Sequence, residues 1–122
     1  MSFLLVGLGG ALGAMARFGV GRIVGATALP WATLSVNVLG GFAMGLLAGW
    51  LAFRGSGGEG WRLLLGVGVL GGFTTFSAFS LEVMLMLERG AMLTAIGYAL
   101  TSVLFSVAAL ALGLGLSKAV LA

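Results

Sequence analysis

The residues of this sequence that could do chemistry are neutral hydrogen-bond donors and aromatic rings set within long apolar stretches. Asn37 ends the segment "TLSVN", and the segment "GGFTTFSAFSLE" places Phe76 and Phe79 ahead of Glu82. Three hydroxyl-bearing residues recur at every fourth position further along: Tyr98, Ser102 and Ser106. Amides and hydroxyls donate hydrogen bonds, and an aromatic ring has a positive edge. Such groups could contact a small anion without offering it a full positive charge, which indicates binding or transport.

The amino-acid composition excludes most catalytic chemistry. Histidine, cysteine and aspartate are all absent, which removes thiolate chemistry, histidine–metal sites and Ser–His–Asp arrangements. Charged residues make up 7% of the chain, whereas a soluble domain has about 25%. The basic side chains are scattered along the sequence, so nucleic acid is not an expected partner. We therefore expect an all-α integral membrane protein that is not an enzyme.

The spacing of the charged residues predicts four membrane spans. A helix needs about 20 apolar residues to cross a bilayer, and four stretches carry no side-chain charge: 1–16, 23–53, 63–81 and 90–117. This pattern predicts helices over roughly 3–23, 31–53, 61–87 and 91–117, in a single four-helix transmembrane domain over 1–122. The N-terminal segment lacks the basic region of a signal peptide, so we expect it to be retained as the first helix.

The basic residues are divided evenly between the two sides of the membrane that four spans create. Each side has three: Arg54, Arg62 and Lys118 on the side of the termini, and Arg17, Arg22 and Arg89 on the other. The positive-inside rule, which sets orientation from an excess of basic residues on one side, therefore predicts no preferred orientation. Either the tie is accidental, or copies of the chain insert in both directions and pair antiparallel, which is the sharper hypothesis.

Small residues recur at four-residue spacing in three of the predicted helices. The sets are Gly9/Gly13, Gly21/Gly25, Gly41/Gly45/Gly49 and Gly68/Gly72. Such faces let helices approach closely in lipid. They predict tight assembly, with a homodimer as the expected form, and do not by themselves indicate a substrate.

Two sets of polar residues allow both a packing and a functional interpretation. Asn37 lies about 9 Å into the second predicted helix, where its amide could join two helices or point into a pore. The pattern does not choose between these roles. Tyr98, Ser102 and Ser106 form one stripe on the fourth helix, which indicates a polar track, with helix packing as the rival interpretation.

The segment "GGFTT" (71–75) predicts an interruption near the middle of the third helix. Glycine and β-branched threonine are weak helix formers, and a break would free backbone carbonyls that can coordinate a cation. Irregular backbone at that depth persists only when it is buried in protein or lines a wet cavity. Glu82, three residues after Phe79, must likewise face protein or water.

Three motifs, in order, resemble the Fluc/CrcB family of fluoride channels: "GGALGAMAR" (9–17), "TLSVN" (33–37) and "GGFTTFSAFSLE" (71–82). The third motif is the most specific, and the length and four-helix plan agree over the whole chain. The sequence departs from the family pattern at Ala78, where a hydroxyl is common, and at Ser35 and Gly41, where threonine and serine are frequent. None of these departures removes the set of one asparagine and two phenylalanines.

The resemblance implies an antiparallel, dual-topology homodimer in the inner (plasma) membrane, with two pores that are each built from both subunits. It implies a fluoride path along these residues: Ser35, Asn37, Phe76, Ser77, Phe79, Glu82, Tyr98, Ser102 and Ser106. Arg17 would lie beside an aqueous vestibule and attract anions. The backbone carbonyls of Gly71 and Thr74 would hold a structural Na⁺ ion at the dimer centre.

The expected function is passive export of fluoride that protects a microbial cell. A pore for this tightly hydrated ion must replace its water with fixed donors and still bind it weakly enough for release. The first rival is a proton-coupled exporter of the small multidrug-resistance type. It would need a carboxylate in the first helix, where this chain has only Arg17 and Arg22 as charged residues. A non-transporting assembly subunit is the second rival, and it leaves the 71–82 segment unexplained.

Overall fold

Four helical spans make up the computed structural model, which describes residues 1–121. Their bounds are Ser2–Val24, Trp31–Arg54, Glu59–Glu88 and Met92–Leu121. Each is long and apolar enough to cross a membrane, and no β-strand occurs among the described residues. The prediction of an all-α, multi-pass membrane protein is confirmed. The predicted bounds differ from these by at most four residues, at the end of the fourth helix, which continues past Lys118.

A glycine and a proline mark the end of the first helix and the start of the second. The first helix ends at Val24. The next residue, Gly25, has a positive φ of 77°, and its N–H donates to the Gly21 carbonyl at 2.9 Å. Glycine adopts a positive φ at little cost, which makes it a common residue just after a helix end. The second helix begins directly after Pro30, which lacks an N–H that would otherwise need a partner at this position.

The third span is two helical halves with different geometry. The N-terminal half (59–73) contains a nine-residue π-helix, Arg62–Leu70, and the N–H of Gly71 donates to the Gly66 carbonyl five residues earlier. The C-terminal half is an α-helix, Ser77–Glu88. The π-helix packs along the first helix.

Most of the glycine faces pack helices within one chain. A methyl group on Gly13 would overlap the Val69 carbonyl, and one on Gly72 would lie 2.5 Å from the Gly10 carbonyl oxygen. Gly45 meets the fourth helix in the same way. Gly21, by contrast, has open space around it. The close packing that the sequence predicts is present, and it joins spans of a single chain.

An interruption divides the third span at residues 74–76. Thr74 is extended, with φ −85° and ψ 158°, and the helix resumes at Ser77. The predicted interruption covered 71–75, but Gly71–Phe73 is still helical. The reason is that the Leu70 carbonyl accepts both the Thr74 N–H at 3.0 Å and the Thr74 hydroxyl at 2.9 Å. The helical backbone hydrogen bonds of this half therefore end at Thr74.

The small buried core joins the second, third and fourth spans. Met86, Ala95 and Tyr98 form its centre, with Leu34, Phe79, Val83 and Ala91 packed against it. Many other large apolar side chains face outward, Phe3 and Leu93 among them. Outward-facing apolar side chains suit a chain solvated by lipid, where packing rather than water exclusion joins helices. This core holds the C-terminal half of the third span against Tyr98 and so positions the polar groups beyond the interruption.

Candidate binding site at the interrupted third span

The side-chain amide of Asn37 clamps the interruption from the second helix. Its Oδ1 accepts the Thr75 N–H at 2.8 Å, and its Nδ2 donates to the Thr75 carbonyl at 3.0 Å. The interhelical role of Asn37, one of the two that the sequence left open, is therefore observed. A primary amide has two N–H groups, so one remains for a further acceptor.

The interruption removes helical partners from two backbone carbonyls. In a continuous helix the Thr75 N–H would bond the Gly71 carbonyl, and the Ala78 N–H would bond the Thr74 carbonyl. Here the first donates to Asn37 and the second to the Thr75 hydroxyl at 3.2 Å. Carbonyl oxygens suit hard cations, so the predicted Na⁺ ligands Gly71 and Thr74 fit in donor chemistry. Their role stays a prediction.

Arg17 of the first helix contacts a third freed carbonyl. Its Nε donates to the Gly72 carbonyl at 3.1 Å. The rest of the guanidinium lines a cleft of about 350 Å³ together with Arg22, Thr33 and Thr75. Arg17 is thus a structural partner of the interruption as well as a cation beside an open cleft. The predicted attraction of anions to a vestibule is not tested by this geometry.

Five of the predicted pore residues line one open cleft beside the interruption. This cleft, called the central cleft below, has a volume of about 400 Å³, and the five are Asn37, Phe76, Phe79, Ser102 and Ser106. The Phe76 and Phe79 ring centroids lie 5.5 Å apart with the planes at 46°. Phe76 is 76% exposed in the single chain, so its ring faces out of the packed core.

The hydroxyl of Ser102 is the most unusual donor of the central cleft. Ser102 is only 5% exposed, and its Oγ has no hydrogen-bond partner among the described residues. An unsatisfied buried polar group costs about 1–3 kcal/mol, and lipid offers it nothing. A ligand or a further protein group in the cleft would remove that cost.

Glu82 lies beyond the two phenylalanines and is satisfied by two hydroxyls. Tyr98 donates to Oε1 at 2.8 Å, and Thr33 donates to Oε2 at 2.6 Å. The Phe79 and Tyr98 ring centroids are 5.3 Å apart, so this group adjoins the central cleft. The carboxylate faces protein, as its cost in lipid requires. Thr33 is not among the predicted site residues, although it stands four residues before Asn37 on the same helix face.

Four predicted pore residues do not line the central cleft: Glu82 and Tyr98, described above, and Ser35 and Ser77. Ser35 is partly buried on the second helix, and Ser77 is exposed, with its hydroxyl 3.5 Å from that of Thr75. Neither lines the cleft in the single chain. Their place on an ion path stays a prediction.

Comparisons with known proteins agree with the motifs that the sequence carries. The family model described as "CrcB-like protein, Camphor Resistance (CrcB)" matches residues 4–114. The "Fluoride-specific ion channel FluC" of Phenylobacterium zucineum is 57% identical over 99% of this chain and 98% of that protein. Proteins with the same name from Hyphomonas neptunium and Novosphingobium aromaticivorans are 54% and 52% identical, over 98% and 94% of both chains.

These relatives are named as channels, which confirms the prediction that the chain is not an enzyme. The match extends over nearly the whole chain and includes all three motifs. The resemblance drawn from those motifs is therefore confirmed, and this chain belongs to the CrcB family.

Proposed function

We propose that this chain forms a fluoride-selective ion channel whose path runs through the central cleft. The observation that carries the proposal is a buried Ser102 hydroxyl that has no hydrogen-bond partner among the described residues, in the same cleft as the remaining Asn37 N–H and two phenylalanine rings. None of the described residues that line this cleft is a lysine or an arginine. Neutral donors and ring edges can replace water around a small anion and still release it. The printed names of the relatives support the same ion.

The functional unit in this proposal is an antiparallel dimer with two pores, each built from both copies. Irregular backbone at membrane depth must be covered by protein or line a wet cavity, yet Gly71 and Phe76 are exposed in the single chain. A second copy placed against the interruption would cover them. The even division of basic residues supports insertion in both directions.

A Na⁺ ion at the two-fold contact is part of the same proposal. The carbonyls of Gly71 and Thr74 from each copy would hold it, because their helical N–H partners donate elsewhere. A bound cation would offset the negative ends of these carbonyl dipoles and join the two copies. It takes no part in moving the anion.

The proposed flux is passive, down the electrochemical gradient, and exports fluoride across the inner (plasma) membrane. The groups along the central cleft are neutral, and Glu82 is held by Thr33 and Tyr98 rather than facing that cleft. Proton relays in membrane transporters use ionisable side chains such as Glu or His, and no described residue that lines the central cleft is ionisable.

Liposomes containing the purified chain and loaded with potassium fluoride test the proposal with a fluoride electrode. Because a conducted anion leaves only when charge is balanced, fluoride should appear on addition of the potassium carrier valinomycin and not before it. Release should need no pH gradient. No valinomycin-dependent release, or release that depends on a proton gradient, would overturn the proposed function.

A further inference from the structure

A separate cleft opens beside Glu82 at the end of the third span. It has a volume of about 250 Å³ and is lined by the 25–30 connection and by one face of the C-terminal half of that span. The residues on that face are Glu82, Leu85, Met86 and Arg89. Their spacing of three, four and seven residues places them on one side of a helix. This cleft, called the terminal cleft below, thus has one acidic and one basic side chain.

The position of Arg89 is fixed by the way the helix ends. The Ala91 N–H donates to the Met86 carbonyl at 2.9 Å, and the Gly90 N–H donates to the Leu87 carbonyl at 3.1 Å. Gly90 has φ 80°, and this angle together with the two hydrogen bonds forms a Schellman motif. Met86 is only 2% exposed, which anchors the last turn. Arg89 therefore has a fixed backbone at the rim of the terminal cleft.

The positive charge of Arg89 opposes the negative charge of Glu82 on the same helix face. Glu82 accepts a hydrogen bond from the Tyr98 hydroxyl, and the Tyr98 ring contacts Phe79 of the central cleft. Its carboxylate would repel an anion that reaches or leaves the hydroxyl stripe. Arg89 stands two helical turns away, or about 10 Å along the axis, and brings the opposite charge. Glu88 is exposed and does not line this cleft.

The other cations on this side of the membrane have a related placement. Arg17 and Arg22 line the neighbouring cleft of about 350 Å³, which shares Ala32 with the terminal cleft. All three basic residues that four spans place on this side therefore border one of two adjacent clefts. The neighbouring cleft carries charge of one sign, and such clefts concentrate ions of the opposite sign. In the terminal cleft Arg89 faces the opposite charge of Glu82.

We propose that the terminal cleft is an aqueous mouth of the fluoride path and that Arg89 concentrates small monovalent anions there against the charge of Glu82. This inference rests on the proposed function and adds a specific electrostatic residue to it. Arg89 acts on the ion at the mouth rather than binding it tightly, because it is exposed to solvent.

A single-cysteine variant tests the charge itself, since the chain has no cysteine. In liposomes at an ionic strength of about 10 mM, where the Debye length is about 30 Å, Arg89→Cys should lower fluoride flux about two- to fivefold. A trimethylammonium-ethyl methanethiosulfonate should restore the flux, and the sulfonate reagent of similar size should lower it further. In about 1 M impermeant salt, where the Debye length is about 3 Å, these differences should vanish.

Arg54→Cys is the matched control, because Arg54 is an exposed arginine at a helix end that does not line the terminal cleft. Its flux should not depend on the charge of the reagent. Equal flux from all forms of Arg89→Cys at low salt would overturn the inference. So would a loss that has the same sign with both reagents, or a loss that persists at high salt. If wild-type liposomes release no fluoride, the proposed function fails instead.

Discussion

Replacing Asn37 by alanine should loosen the interruption of the third span. The change removes the 2.8 Å and 3.0 Å hydrogen bonds between the side-chain amide and the Thr75 backbone. The change leaves the Thr75 N–H and carbonyl without their partner, and each buried group left unpaired costs about 1–3 kcal/mol. Hydrogen bonds between membrane helices average only about 0.6 kcal/mol, so the sum is discounted. We expect a loss of about 2–4 kcal/mol in the free energy of unfolding.

Replacing Asn37 by aspartate tests the remaining N–H as a donor to the anion. The new carboxylate has nearly the same shape, keeps an acceptor for the Thr75 N–H and loses both donors. A fluoride ion about 4 Å from it would be disfavoured by about 4 kcal/mol at an effective dielectric constant of about 20. This corresponds to about a 10³-fold lower occupancy. We expect fluoride flux to fall at least about 100-fold.

Two assays separate the clamp from the donor role of Asn37. Unfolding in mixed micelles, titrated with sodium dodecyl sulfate, gives the stability, and a fluoride electrode gives the flux from liposomes. Ser80→Ala is the matched control for stability, since that exposed hydroxyl bonds only the Phe76 carbonyl of its own turn at 2.9 Å. An alanine variant as stable as wild type would refute the clamp. An aspartate variant with wild-type flux would refute the donor role.

Three further substitutions probe packing, the ring pair and the carboxylate. Gly13→Ala should lower the unfolding free energy by about 1–3 kcal/mol through overlap with the third span, whereas Gly7→Ala, with open space around it, should not; equal values from micelle unfolding would contradict this. Phe76→Ile should lower fluoride flux about two- to tenfold, because it removes a ring edge from the path and an aromatic pair with Phe79 of a kind worth about 0.5–1.5 kcal/mol. Undiminished electrode traces would exclude the ring from the path. Thr33→Val, with nearly the same shape, should cost about 1–2 kcal/mol by removing the bond to Glu82, and Thr33→Ser should not; a stable valine variant would show that this bond contributes nothing.

The elements of this fold could be predicted because their signals are local. Long uncharged stretches mark the spans, Pro30 marks a helix start, and the glycines and threonines of the third motif mark an interruption. The predicted interruption begins three residues before the observed one, because the two hydrogen bonds from Thr74 to the Leu70 carbonyl depend on a backbone geometry that the sequence does not show. The π-helix Arg62–Leu70 could not be predicted, because the spacing of its apolar residues does not distinguish it from an α-helix.

The partners of the site residues could not be predicted, because they depend on how separate spans pack. Asn37 meets Thr75, and Arg17 meets Gly72, across 38 and 55 positions of sequence. Asn37 and Arg17 could be identified as candidate site residues from their side-chain chemistry and from the family resemblance. The sequence could not show that both side chains form hydrogen bonds with the interrupted backbone of the third span. The glycine faces show the same limit, since their spacing predicts close packing without naming the partner helix.

A fluoride-selective path at the interruption is tested most directly by following two anions at once. Liposomes containing the chain are loaded with potassium fluoride and potassium chloride, valinomycin is added, and two ion-selective electrodes record the release. A path of neutral donors and ring edges at the interruption predicts that fluoride empties from the liposomes while chloride stays inside. If neither anion leaves, or both leave at the same rate, a fluoride-selective path at this site is contradicted.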